Sequence, residues 1–158
     1  MKWTGPYFRF PNANVGIACG KASRLTVVDF DPKGGALEEV AAFKARKQTF
    51  TPTVMARTPS GGWHLYYAYA PELLNSKSLL GRGIDVRTTG GYVVAPGSVL
   101  DDGRGYHWVT APLGPDLPKM PTWAYMALKP KPQPIVKPAR PPAGDKGEAL
   151  GRLTRFVS

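Results

Sequence analysis

Apolar and polar positions along the chain predict many short strands and few helices. Leu25 to Phe30 is a β-branched, apolar run broken only by Asp29, the pattern of a buried strand. Val15 to Cys19 reads as a shorter buried strand ending at Gly20. Val54–Thr58 and Trp63–Tyr69 flank Pro59-Ser60-Gly61-Gly62 and predict a hairpin, with Trp63, Leu65 and Tyr67 facing one way and His64, Tyr66 and Ala68 the other. Ile84–Arg87 and Tyr92–Ala95 are two further strands. Ser98–Leu100 and Tyr106–Val109 predict a second hairpin around Asp101-Asp102-Gly103-Arg104. Leu37, Val40, Ala41 and Lys44 recur at helical spacing, so a helix is expected from Gly35 to about Lys47 with those residues on its packed face. Pro121 to Leu128 predicts a closing helix with proline in its first turn. Residues 71–83 carry no clear period and read as a mixed connection.

Composition narrows the picture. The chain has 158 residues, enough for one domain with a core and appendages, and its 18 Gly and 17 Pro imply many turns. The formal charge of +10 points to a polyanionic partner. Residues 129–158 carry seven Lys/Arg against two acids, so the basic excess is densest there. Six prolines between Lys129 and Lys146 predict a semi-rigid linker, and residues 147–158 the start of a helix or a tail. Residues 1–13 are aromatic and irregular and are expected to pack as a loop. The single cysteine, Cys19, excludes an internal disulfide and a Cys-rich zinc module. No run has the length of a membrane span, so a cytoplasmic protein without membrane attachment is expected.

Four stretches carry candidate chemistry. Asp29 and Asp31 share one face of a strand end, where two carboxylates repel unless a cation lies between them. The plainer alternative is that Asp31 caps the structure that follows. Thr58–His64 sets a Gly-rich turn, a potential anion nest, just before His64, or is a simple hairpin turn. Gly83-Ile84-Asp85-Val86-Arg87 places an acid and a base two apart, as a third metal ligand beside a phosphate-binding guanidinium, or as a surface ion pair. Gly90–Ser98 is a buried strand between two special turns, whose glycines can admit a base or sugar.

In this order and spacing, Asn14–Gly20, Val27–Asp31, Thr58–His64, Gly83–Arg87 and Gly91–Ser98 resemble the bifunctional DNA primase/polymerase (prim-pol) domain of the archaeo-eukaryotic primase superfamily, common in phage and plasmid replication. The resemblance covers roughly residues 12–128 and places the catalytic domain at 1–128. It implies an α+β fold, with an antiparallel catalytic sheet like an RNA-recognition motif, flanking helices and a smaller α/β nucleotide-binding unit. It implies that Asp29, Asp31 and Asp85 ligate Mg²⁺ or Mn²⁺ and are catalytic, that His64 contacts the nucleotide phosphates, and that Ser60, Gly61 and Arg87 help bind the triphosphate. The implied partners are a single-stranded DNA template, dNTP or NTP, and a replicative helicase, with a monomeric protein in a bacterial host cell. Family members usually carry a further helix and strand ahead of the Asn14 strand, so the domain reads as N-terminally short. The implied reaction is two-metal nucleotidyl transfer. Trp63 or Tyr66, on opposite strand faces, would offer a template stacking platform. Two rival readings remain at this level: a single-strand-binding module without catalysis, and a metal-dependent phosphodiesterase.

Overall fold

The computed structural model of the chain describes residues 13–114 and 116–131. Nearly all of the N-terminal aromatic loop, most of the expected linker and the 147–158 segment lie outside them.

The protein is α+β, built on a six-stranded antiparallel sheet with two helices. The elements run β1 (Gly16–Ala18), β2 (Leu25–Phe30), α1 (Ala36–Ala45), β3 (Val54–Arg57), β4 (Trp63–Ala68), β5 (Ser76–Gly81), β6 (Ile84–Arg87), β7 (Tyr92–Val94), β8 (His107–Thr110) and α2 (Thr122–Leu128). Strand order in the large sheet is β5-β6-β2-β4-β3-β8, and β1 pairs with β7 in a separate two-stranded sheet. The β-branched run of β2 lies in the middle, as expected of a strand buried on both faces.

Alternation along β2 divides the core. Val28 and Phe30 join Tyr67, Ile84 and Val86 against Ala36 and Phe43 of α1 and Ala124 and Leu128 of α2. Leu25 and Val27 face the other way, with Ala56, Tyr66, Cys19 and Val93, beneath the β1–β7 sheet. Both helices therefore cover one face of the large sheet. The small sheet covers part of the other, and no helix accompanies it among the described residues, where an α/β unit was expected.

Four expectations are corrected. The packed face of α1 is not Leu37, Val40, Ala41 and Lys44: Leu37 and Val40 are 50% and 39% exposed, while Ala36 and Phe43, one heptad apart, are buried. Phe43 wins because it joins an aromatic cluster with Phe50 and Trp123, at ring-centroid distances of 6.0 and 4.9 Å. Phe43→Ala is accordingly expected to cost ~3–5 kcal/mol in urea unfolding, and Leu37→Ala less than ~1 kcal/mol; equal costs would return the packed face to Leu37. The connection at 71–83 contains an edge strand, β5, without alternation because its register is irregular between Ser76 and Gly81 and Ser78 is left-handed at φ 55°. The second hairpin forms around Asp101–Arg104, where Leu100 N–H donates to the Arg104 carbonyl and Tyr106 N–H to that of Ser98, but its second arm is shorter than expected, because His107–Thr110 run on as β8 against β3. The strands β1 and β7 are less buried than expected, with Tyr92 at 67% exposure.

Candidate active site

The face of the large sheet opposite the helices carries a row of ionisable groups. Asp29, on β2, lies directly across from Asp85 on β6 and from His64 on β4. The three residues thus sit side by side on adjacent strands, where opposed antiparallel positions bring Cα atoms within ~4.5–5.5 Å. One step along, Val27 lies between Arg87 and Tyr66. Arg87 reaches back so that its Nη2 donates to Asp85 Oδ2 at 2.8 Å. Asp85 Oδ1 also accepts from the Ser78 N–H at 3.0 Å.

Like charges at directly opposed positions are unfavourable, and the titration of Asp29 reflects it. Burial first, and Asp85 second, push its carboxyl up to about 6, against a partial offset from Arg87. His64 Nε2 lies 3.4 Å from Asp29 Oδ1. Burial and then Arg87 hold His64 down at about 4. The imidazole is therefore neutral wherever Asp29 is ionised, and the contact is not an ion pair near neutral pH. Among the described residues no partner meets the buried His64 Nδ1 or the buried Tyr66 hydroxyl, whose pKa burial raises.

Asp31 lies just beyond β2. Its carboxylate accepts from the Lys33 N–H at 3.1 Å and caps the 3-10 turn Pro32–Gly34, the plainer role its sequence allowed. Two glycines close on this point from either side. A Cβ at Gly62 would lie 1.9 Å from the Phe30 carbonyl oxygen, and one at Gly83 would lie 2.5 Å from that of Asp31. The close approach that Gly62 permits is thus to the end of β2. In the same turn Gly61 N–H donates to the Thr58 carbonyl and Gly62 N–H to the Thr58 hydroxyl.

A cleft of about 450 Å³ opens over the row, lined by Asp29, His64 and Arg87 together with Asn75, Gly90–Val94 and Tyr106. That volume is in the range of small-ligand sites. Of the residues read from sequence, Asp29, His64 and Arg87 meet in this cleft. Asp85 stands behind Arg87, Asp31 stands past the strand end, and Ser60 and Gly61 occupy the β3–β4 turn outside the lining. Trp63 packs toward the helix-side core under the Arg57 guanidinium, 4.8 Å from its ring centroid. Tyr66 is buried. Neither therefore offers a free stacking face. Tyr106 and Asn75 had no signal in the sequence, and Tyr92 was marked only as part of the Gly90–Ser98 strand.

The profile of the family described as bifunctional DNA primase/polymerase, N-terminal, matches residues 2–123. The chain belongs to that family. Its β2–β4–β6 row falls inside the match, and the family's activity is of the primase/polymerase nucleotidyltransferase type, with a DNA template and nucleotides as substrates. A search of curated proteins finds no match. No helix among the described residues is long and apolar enough to cross a membrane.

Prim-pol domains are typically metal-dependent, so the donors can be tested against a divalent cation. Three carboxylates supply hard oxygen ligands, and Asp85 and Asp31 add to burial in raising the proton affinity of Asp29. In chemistry and charge they fit. They are neighbours rather than gathered: among the described residues no three acidic, His or Cys side chains form a ready metal-holding group.

Proposed function

We propose that this prim-pol domain transfers nucleotides onto DNA at the Asp29–His64–Arg87 end of the cleft, with residues 1–128 as the catalytic unit and the six-stranded sheet as its RRM-like platform. The observation that carries this is the alignment of Asp85, Asp29 and His64 across three adjacent strands, with Asp29 and His64 lining a nucleotide-sized cleft. Asp29, Asp31 and Asp85 would hold Mg²⁺ or Mn²⁺, which when bound supplies positive charge to the phosphates and the attacking oxygen.

The chain's own groups account for substrate binding. Arg87 presents a guanidinium at the cleft floor, suited to paired contacts with phosphate oxygens, and Asp85 steers it from behind. His64, neutral and buried, orients a phosphate oxygen by hydrogen bonding rather than by charge. Asp29 stays ionised above about pH 6, ready to ligate. Ser60 and Gly61, exposed and half-exposed on the β3–β4 turn, would meet a triphosphate where it leaves the cleft. The basic excess of the chain favours a single-stranded template over a neutral partner.

Incubation of a labelled, primed single strand with Mn²⁺ is the test. Growth of the strand only when nucleotides are added is the expected result. Shortening would make the protein a phosphodiesterase, and binding without change would make it a passive module. Arg87→Ala should raise the nucleotide KM about tenfold or more, the loss of one charge-assisted contact; an unchanged KM would remove Arg87 from the phosphate grip.

A further inference from the structure

His64 reaches the cleft without the hydrogen bond that normally sets a histidine. The second ring nitrogen usually has a partner that fixes the tautomer and the turn of the ring, and the last torsion of a histidine is otherwise broad and two-fold. Among the described residues nothing meets the buried Nδ1. Nε2 lies 3.4 Å from Asp29 Oδ1, longer than an ordinary hydrogen bond. The orientation of the imidazole therefore depends on what packs against it.

Two rings do so. Tyr66, two residues along β4, meets it nearly edge-on, at 73° and 6.3 Å between centroids. Tyr106 lies at 5.6 Å and only 34°, closer to parallel than to edge-on. It comes from just ahead of β8, two strands away from β4. The residue between them on β3 is Ala56, opposite both His64 and Trp108. Ala56 is fully buried, and its methyl group leaves room for a ring to cross. Trp108 crosses in the same way to Tyr66, at 5.4 Å. Tyr106 is itself held by main chain: its N–H donates to the Ser98 carbonyl at 2.9 Å, and its carbonyl accepts from the Gly97 N–H at 2.8 Å. Ser98 Oγ in turn accepts from the Val15 N–H, ahead of β1, at 3.1 Å. The ring is thus anchored to the turn after β7 and packs on a residue of the large sheet, and both residues line the cleft.

We infer that Tyr106 is a positioning residue for His64, a clamp that sets the plane of the imidazole toward the nucleotide phosphates. The inference rests on the phosphate-contacting role proposed for His64 above. A neutral imidazole donates a single hydrogen bond and has to point it, and losing the ring contact frees it to turn. An aromatic pair is strong enough to favour one orientation by up to about tenfold. The phenol oxygen has no part in this, because the contact is between rings.

Ring NMR of the free protein and primer extension together decide the matter. The chain has two histidines, so a His107→Gln background leaves the His64 ring signals alone in the spectrum. They should be single and sharp with Tyr106 or Tyr106→Phe, and broadened or doubled in Tyr106→Leu, where the imidazole samples both orientations. Tyr106→Met takes the place of the leucine variant should that one melt below the assay temperature. In extension, kcat/KM for the nucleotide should fall about fivefold to tenfold in Tyr106→Leu and be restored in Tyr106→Phe. In a His64→Ala background Tyr106→Leu should cause no further loss, since no ring is left to position. A sharp, single His64 signal in Tyr106→Leu would overturn the clamp. So would a further loss in the His64→Ala background, or a loss in Tyr106→Phe, either of which would make Tyr106 act on its own account. A wild-type protein that extends no primer would overturn the nucleotide site itself, and the purpose of the clamp with it, whatever the ring signals show.

Discussion

Asp29→Asn should abolish primer extension and at the same time stabilise the protein above pH 7. The loss of activity is expected to be ~10³-fold or more, since a ligand to a catalytic cation contributes several kcal/mol in the transition state and each ~1.4 kcal/mol is tenfold in rate. The gain in stability follows from the sheet. Asp29 is held between Asp85 and a buried His64, and its carboxyl is raised from 3.8 to about 6. A group whose folded-state pKa is raised binds protons better when folded, so its ionisation opposes folding. The penalty is absent below pH 3.8, grows through the window to pH 6 and is constant above it. With the side chain 28% exposed, about 2 kcal/mol is a reasonable magnitude, or several degrees in Tm.

His64 runs the other way. Its pKa falls from 6.5 to about 4 on folding, so its contribution is present above pH 6.5 and is lost as pH drops toward 4. In the wild type the two slopes oppose each other between pH 4 and 6. In the Asp29→Asn variant the His64 slope stands alone, and Tm should fall steeply with acidification. Thermal melts at intervals from pH 4 to 8 read both effects. A variant that melts at or below the wild-type temperature at pH 8 would show that Asp29 carries no such penalty, and wild-type extension would remove it from the chemistry.

Gly62→Ala should be the most damaging small change in the protein. Its added carbon would meet the Phe30 carbonyl oxygen at 1.9 Å and Pro32 Cδ at 2.8 Å. The first is main chain in the central strand and cannot turn aside. The β3–β4 turn would have to lift from the end of β2, at a cost of ~3 kcal/mol or more and a fall in Tm of about 10 °C. Because Asp31 directly follows Phe30, the surviving folded fraction should also extend primers poorly. Gly114→Ala, which meets nothing within 4 Å, is the control and should melt within a degree or so of wild type. Equal Tm values for the two variants would show that the turn is not seated on β2.

Much of the candidate site was legible in the chain. Asp29, His64 and Arg87 were each visible as a polar residue interrupting an apolar strand next to a glycine turn, and burying such a residue is costly enough that it signals use. The helix-side core was legible less well. Leu37 and Val40 fit the helical period as well as Ala36 and Phe43 do, and a period does not say which stripe meets the sheet. The Ser60-Gly61-Gly62 turn was read for its affinity for anions, yet Gly62 also serves the close seating of the turn on the end of β2. Stacking platforms were sought at Trp63 and Tyr66, whose sequence neighbours give no hint that one lies under an arginine and the other is buried.

The order of motifs along the chain was enough to determine the family, the central strand and the identity of the charged groups, because strand alternation and turn chemistry are local properties. What the tertiary structure decided was pairing: that β2 lies between β4 and β6, so that Asp85 and His64 flank Asp29, that β8 runs on from its hairpin to pair with β3, and that Asn75 clamps the turn before Tyr92. Such pairings join residues far apart in sequence, and they are chosen by the packing of the whole sheet rather than by any stretch of it.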